Sequence, residues 1–270
     1  MGSATEFPSS PPGGLFAWLA ASEAAGRPFV LATVTDTGGS TPRLAGAVMG
    51  IGVDSQVGTV GGGAFEKRVV DTARALLADP SRGTAVVDVH LVRDLGMCCG
   101  GKMAVFLNKT EPAPRLWIFG AGHVGTELAV LGLRAGFAVT VVDERAEWAA
   151  PGRFPPTCEV VDAEPGDLLK RRRPGATEYV VVTTHSHALD EQLMLALSEA
   201  PPAYVGLIGS RNKWAKFRAR LAERGVAPGF LDQVHSPVGL DIGAVTPAEI
   251  AFSVTAELIA CRRAAHQGEG

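Results

Sequence analysis

Hydrophobic and polar positions follow one pattern in the first part of the chain and another in the second. In the first part, short apolar or alternating segments predict strands around an amphipathic helix that follows Gly63. Residues Phe65, Val69, Ala73, Leu76 and Leu77 share one face of that helix. The predicted strands lie at 29–35, 47–53, 57–60, 85–91 and 102–107, and a further helix lies at 15–25. This order predicts a mixed α+β domain.

After residue 115 apolar strands alternate with helices. The strands are predicted at 116–120, 138–143, 158–161, 179–183 and 204–208, and the helices at 123–135, 188–199, 211–223 and 247–262. Such alternation is typical of a parallel sheet with right-handed crossovers. The prolines at 112 and 114 predict a linker at 109–114. We therefore predict an α/β protein with a flexible leader at 1–14, a mixed domain at 15–111 and a parallel-sheet domain at 115–270.

Composition narrows the possible functions of the chain. It has 270 residues, of which 46% are hydrophobic and 20% charged, and a net charge of −3. A nucleic-acid-binding protein usually has a basic surplus, so that class is disfavoured. No apolar run approaches the ~20 residues of a transmembrane helix, and no secretion signal is apparent. The four cysteines lack the spacing of a disulfide framework, so we expect reduced thiols and a cytoplasmic protein.

Two adjacent cysteines in a glycine turn are the most informative feature. The turn reads Gly96-Met97-Cys98-Cys99-Gly100-Gly101. Glycines on both sides allow close approach of the backbone to a ligand, and a thiolate there can act as a nucleophile or a metal ligand. The alternative is a pair of inert buried cysteines. We favour a functional thiol.

A second glycine motif follows the strand at 116–120. Gly120, Gly122 and Gly125 form a G-x-G-x-x-G pattern that opens a helix, and Asp143 ends the next strand about 20 residues later. This context predicts a Rossmann-like domain whose loop holds a phosphate and whose Asp143 accepts a ribose hydroxyl. NAD(P) is therefore a possible cofactor. The alternative is that the glycines serve only packing.

Other loops of the chain carry candidate binding groups. Gly61, Gly62 and Gly63 precede a helix and resemble an anion cradle. Ser40 and Arg43, with Thr41, offer hydroxyls and a guanidinium to a phosphate or a pterin-type heterocycle, although an ordinary turn is about equally compatible. The pair His185 and His187 follows a strand, where solvated histidines are the simpler interpretation. Arg211 and Lys213, in the strand-to-helix junction at 206–213, would attract an anion.

The chain resembles the XdhC/CoxI family of accessory proteins for xanthine dehydrogenase and related molybdenum hydroxylases. The resemblance rests on 39–43, 58–66, the thiol turn, 120–125, 206–211 and 236–243. It implies a carrier without turnover of its own that binds the molybdenum cofactor while a cysteine desulfurase supplies the terminal sulfur. The carrier then delivers its cargo to the apo-dehydrogenase or a related hydroxylase.

The same resemblance identifies Cys99 as the functional thiol and a possible molybdenum ligand. The family turn has glycine where this chain has Cys98. We also expect a homo-oligomer. Two alternatives stay open: an NAD(P)-dependent oxidoreductase that uses the Rossmann-like domain, and a thiol enzyme with Cys99 as its nucleophile.

Overall fold

The chain divides into two compact units between Pro112 and Ala113. A computed structural model describes residues 13–79, 81–95 and 101–267. Each unit has its own sheet and its own buried apolar core.

The first unit is an antiparallel sheet covered on one face by a helix. Its elements are α1 (Gly14–Ala24), β1 (Phe29–Gly38), β2 (Val48–Ile51), β3 (Gln56–Gly58), α2 (Gly63–Ala78), β4 (Thr84–His90), α3 (Leu91–Leu95) and β5 (Lys102–Thr110). The strand order is β3-β2-β1-β5-β4, with every neighbouring pair antiparallel. Helix α2 buries Phe65, Val69, Ala73 and Leu76 against the core, as their helical spacing predicts. The sequence prediction missed α3, and it ended the strand before α3 one residue late.

The second unit is a six-stranded sheet in which every pair is parallel. Its elements are β6 (Arg115–Phe119), α4 (His123–Arg134), β7 (Ala138–Asp143), β8 (Glu159–Asp162), α5 (Pro165–Arg171), β9 (Tyr179–Val182), α6 (His187–Ser198), β10 (Tyr204–Leu207), α7 (Arg211–Glu223), α8 (Pro228–Gln233), β11 (Val234–His235) and α9 (Pro247–Gln267). The strand order is β11-β10-β9-β6-β7-β8. Counted from β6 this is the 3-2-1-4-5-6 order of dinucleotide-binding folds. The predicted α/β fold class with a Rossmann-like parallel sheet is confirmed.

The direction in which successive strands are added to the sheet reverses between β6 and β9, and this switch point locates the candidate binding site. Strands β7 and β8 lie on one side of β6, whereas β9, β10 and β11 lie on the other. The loops that follow β6 and β9 therefore diverge and leave a crevice at the carboxyl ends of these strands. Gly120, which follows β6, and Thr184 and His185, which follow β9, border that crevice.

Helix α9 begins with the capping arrangement that the sequence predicts. The Glu249 carboxylate accepts hydrogen bonds from the N–H groups of Thr246 (2.9 Å) and Val245 (2.8 Å), and the Glu249 N–H donates to the Thr246 hydroxyl (3.3 Å). Among the residues described, no helix is both long and apolar enough to cross a membrane. The sequence prediction missed α5, α8 and the two-residue β11, which are too short to show a hydrophobic period.

Two phenylalanines of the first unit provide a direct test of its core. The side chain of Phe65 is fully buried in the core, whereas Phe16 on α1 is 81% exposed. We expect Phe65→Ala to lower the free energy of unfolding by about 3–5 kcal/mol, because it removes a buried ring and leaves a cavity. Phe16→Ala should change it by less than about 0.5 kcal/mol. Urea unfolding of the full chain measures both; equal losses would contradict this core assignment.

Candidate functional site

The three glycines of the loop between β6 and α4 have different roles. Gly120 has φ of 115°, and a Cβ there would lie 2.4 Å from the Thr183 carbonyl oxygen. A Cβ on Gly125 would lie 1.9 Å from the Gly120 carbonyl oxygen. A Cβ on Gly122 would meet nothing within 4 Å. Two of the glycines are therefore required by packing, and the third leaves open space at the start of α4.

The Asp143 carboxylate is tied to the glycine loop and to Arg145. One oxygen accepts from the Ala121 N–H (2.7 Å) and from Arg145 Nη2 (2.8 Å). The other accepts from the backbone N–H (3.1 Å) and Nε (2.8 Å) of Arg145. Burial raises the pKa of Asp143, but the hydrogen bonds from Arg145 and Ala121 outweigh it and hold that pKa below its ordinary value. The expected ribose acceptor thus already has four donors within the protein.

A second arginine brings positive charge to the same loop. Arg153 donates from Nη1 to the carbonyl oxygens of Ala121 (3.2 Å) and Trp148 (2.8 Å), and its guanidinium lies 4.5 Å from the Trp148 ring centre. His123, the first residue of α4, packs edge-on against Trp148 at 5.4 Å. In the described part of the chain, no carboxylate lies within 4.0 Å of the Arg153 guanidinium. Its charge and the start of α4 together favour an anionic group.

Polar residues after β9 close the other side of the crevice. His185 Nε2 lies 3.8 Å from the Glu144 carboxylate, which follows β7. Both side chains line a cleft beside Gly120, Asp143 and Thr184. The part of the chain that the structure describes contains no group of three His, Cys, Asp or Glu side chains arranged to hold a metal.

A buried ion pair lies next to this cleft. Asp190, on the inner face of α6, is fully buried and accepts from Lys213 Nζ (2.7 Å) and the Thr184 hydroxyl (2.6 Å). His187 lies 3.9 Å from the same carboxylate. Lys213 also donates to the Ile208 carbonyl oxygen (2.9 Å), so the lysine expected to attract an anion is used within the protein. Sequence reasoning missed Asp190, because nothing distinguishes it from an exposed helical acid.

In the first unit, the glycine loop before α2 already holds a carboxylate. Glu66 accepts from the Thr59 hydroxyl and from the N–H groups of Val60 (3.0 Å) and Gly62 (3.1 Å). The Gly61 N–H donates to Thr59 Oγ1 (3.1 Å). Burial raises the pKa of Glu66, but the hydrogen bonds from Thr59, Gly62 and Val60 outweigh it and lower that pKa from its ordinary 4.5. The N–H groups of Gly61 and Gly62 are therefore used within the loop, whereas an anion cradle at the start of α2 stays a prediction.

The loop at 38–43 packs against the two other glycine segments of this unit. A Cβ on Gly61 would lie 2.6 Å from Pro42, and one on Gly101 would lie 2.5 Å from the Ser40 carbonyl oxygen. Ser40 and Arg43 are exposed in this loop. The structure thus brings together the 38–43 loop, the Gly61 loop and the residue that ends the thiol turn.

The thiols predicted to be functional, Cys98 and Cys99, lie outside the described residues. The two described cysteines are half-buried and unpaired. Burial raises the pKa of Cys158 to about 11 and also raises the pKa of Cys261. Both side chains are protonated thiols at neutral pH and hence poor nucleophiles and metal ligands.

Substitutions at Gly122 and Gly125 allow packing to be separated from ligand access. We expect Gly125→Ala to destabilise the second unit by about 1–3 kcal/mol or more, because the new methyl group collides with the Gly120 carbonyl. Gly122→Ala should cost less than about 1 kcal/mol, since its methyl group enters open space. Thermal unfolding of both variants measures the difference, and similar losses would contradict these roles.

The carboxylate of Glu66 should make the stability of the first unit depend on pH. Because its pKa is lower in the folded protein, the unfolded chain binds more protons in acid. The stabilisation that Glu66 contributes is complete at pH values above its ordinary pKa of 4.5. It is lost as the pH falls below that value and then below the pKa that Glu66 has in the folded protein. Urea unfolding from about pH 6 to pH 3 should show a weaker pH dependence in Glu66→Gln than in wild type. The exposed-residue control Glu23→Gln should behave as wild type, and a Glu66→Gln curve parallel to wild type would refute this linkage.

Models of known protein families match both units of the chain. The XdhC Rossmann domain model matches residues 116–258, which are more than half of the chain. The XdhC and CoxI family model matches residues 22–89. These two matches cover the glycine loop of the second unit and the 38–43 and Gly61 loops of the first.

Two curated bacterial proteins are similar to the chain. YqeB of Escherichia coli (strain K12), which is uncharacterized, is 35% identical over 246 residues, covering 89% of this chain and 45% of that protein. A protein of Bacillus subtilis (strain 168), named as a probable xanthine dehydrogenase subunit, is 36% identical over 159 residues, covering 59% of this chain and 46% of that protein. The chain therefore spans about half the length of these curated relatives.

A solved structure supports the fold independently. A crystal structure described as a xanthine dehydrogenase from Bacillus halodurans matches with a TM-score of 0.53 at 23% identity, over 92% of this chain and 95% of that chain. At this identity the likeness concerns the fold alone. The family matches, the parallel strand order and the glycine loop after β6 agree with one another, and the chain belongs to the XdhC family.

Proposed function

We propose that this protein is a carrier of the molybdenum cofactor that serves xanthine dehydrogenase or a related molybdenum hydroxylase. It holds the cofactor while a cysteine desulfurase supplies the terminal sulfur, and then passes it to the apo-dehydrogenase in the cytoplasm. Membership of the XdhC family and the name of the Bacillus subtilis relative support this proposal. The carrier performs no turnover of its own.

The observation that carries the proposal is the meeting of three loops in the first unit. Gly101 packs against the carbonyl oxygen of Ser40, and Pro42 packs against Gly61. Cys99 stands two residues before Gly101 in the sequence. The 38–43 loop, the Gly61 loop and Gly101 are thus in contact, although they are far apart along the chain.

The donors in these loops suit a phosphorylated pterin that carries molybdenum. A thiolate is a soft ligand of the kind that such a metal accepts, and we assign that role to Cys99. Arg43 is exposed, has no carboxylate within 4.0 Å among the described residues, and offers a planar fork to a phosphate. Ser40 adds a hydroxyl. With Gly61 and Gly62 engaged internally, the Gly61–Gly63 segment contributes shape more than hydrogen bonds.

A single thiolate also suits a carrier that must release its cargo. A closed set of three or four protein ligands would hold a metal as a permanent part of the fold. One thiolate with a phosphate-binding arginine gives a contact that a receiving enzyme can replace. The described histidines and cysteines form no additional metal cluster beside this loop.

The second unit, taken by itself, offers a separate candidate phosphate-binding loop. We assign this role to Gly120, Gly122 and Gly125, with Gly122 leaving the space for close approach. The charge of Arg153 supports an anion there. This loop and the strand order also favour the competing candidate, an NAD(P)-dependent oxidoreductase. Steady nicotinamide turnover with a small substrate would establish that candidate in place of the carrier.

Substitution of single cysteines tests the thiolate role. We expect Cys99→Ser to weaken binding of the molybdenum cofactor at least about tenfold, because the metal loses its soft ligand. Cys98→Ser should have a smaller effect, and Cys158→Ser, which removes a half-buried protonated thiol, should have none. Equilibrium binding is measured on all three variants and on wild type. Retention of the cofactor by Cys99→Ser at wild-type affinity would exclude the thiolate ligand.

A further inference from the structure

We infer that the Rossmann unit of this chain accepts a phosphate monoester and rejects the ribose diol of a dinucleotide, because Arg145 occupies the hydrogen-bonding positions of the Asp143 carboxylate. The inference rests on the proposed function in one respect, which is that the glycine loop binds a phosphate-bearing ligand. It names the class of that ligand and identifies Asp143 and Arg145 as the residues that determine it.

The hydrogen bonds of Asp143 leave its carboxylate no free acceptor site for a ribose. In NAD-binding folds an acidic residue at this position accepts hydrogen bonds from ribose hydroxyls. A carboxylate has about four acceptor sites, and here the Ala121 N–H and three groups of Arg145 provide four donors. The side chain is 3% exposed. A ribose can reach it only by displacing Arg145 from a buried, charged and bidentate contact.

Arg145 is itself held in place by an aromatic ring. The Arg145 guanidinium lies 5.0 Å from the centre of the Trp148 ring, which it shares with Arg153. Removing Arg145 from the carboxylate would therefore break two charged hydrogen bonds and a cation–π contact. The ion pair of Asp143 and Arg145 is therefore fixed by several contacts at once.

His185 and Glu144 restrict the crevice beside the loop. His185, which follows β9, reaches to within 3.8 Å of the Glu144 carboxylate, which follows β7. Both side chains line the cleft beside Gly120 and Asp143, so a ligand that approaches Asp143 through this cleft must first displace them.

What remains accessible suits a phosphate group alone. Gly122 leaves open space at the start of α4, and the Arg153 charge is not neutralised by any described carboxylate. A phosphate monoester needs this loop only, whereas a dinucleotide also needs the ribose acceptor. The structure offers the loop and withholds the Asp143 carboxylate.

Titration with NADH tests the inference. We expect Arg145→Met to bind NADH about tenfold or more tightly than wild type, because one hydrogen bond from the ribose to the released carboxylate supplies a factor of that order. The matched control Arg134→Met, an exposed arginine at the far end of α4, should bind as wild type does. The double variant Asp143→Asn with Arg145→Met should lose the gain. Equal NADH affinities in wild type and a folded Arg145→Met would overturn the inference.

A second measurement decides the matter even if Arg145→Met fails to fold. Thermal unfolding of wild type and of Arg43→Met, which lacks the phosphate-binding candidate of the first unit, is followed with a pterin monophosphate and with NADH at equal concentrations. The inference predicts an increase in Tm with the pterin monophosphate only, and in both proteins. An increase with NADH, or with neither compound, would refute it. Retention of the molybdenum cofactor through Cys99, measured separately, tells whether the carrier proposal fails as well.

Discussion

The geometry of the second unit depends on one carboxylate, that of Asp143. It lies at the carboxyl end of β7 and accepts the Ala121 N–H of the loop that leaves β6, so it joins two neighbouring strands just beyond their last sheet hydrogen bonds. Arg145 completes the contact and compensates the buried charge. Close packing of Gly125 on the Gly120 carbonyl then sets the start of α4 against the end of β6. The open space at Gly122 exists because these contacts hold the loop around it.

Both glycine loops of the protein hold an acidic side chain of their own. In the first unit Glu66 occupies the N–H groups of Val60 and Gly62, and in the second Asp143 occupies that of Ala121. The consequences differ. Glu66 uses two backbone donors of its loop, whereas Asp143 takes one donor and leaves the start of α4 and Arg153 available. The hydrogen bonds to these internal carboxylates therefore distinguish the two glycine-rich loops.

Local patterns account for what could be predicted from the sequence. The long strands and helices, the parallel sheet and the capping of α9 by Thr246 and Glu249 all followed from periodicity and short-range chemistry.

The site was less predictable, because it depends on partners that only the fold brings together. A free carboxylate was the natural expectation for Asp143, and the role of Arg145 two residues later depends on the backbone turn after β7. Asp190 and Lys213 form a buried pair although 23 residues separate them. Short elements such as α5 and β11 lacked enough residues to show a period.

The central claim is that the chain carries a molybdenum cofactor and performs no redox turnover. Its most direct test is chemical analysis of the protein isolated gently from cells that make the cofactor, with molybdenum determined by mass spectrometry and pterin by the fluorescence of its oxidised form. The account predicts molybdenum and pterin in equal amounts on the protein, and no oxidation of NADH by the same preparation. A preparation that contains neither molybdenum nor pterin and turns over a nicotinamide substrate would contradict it.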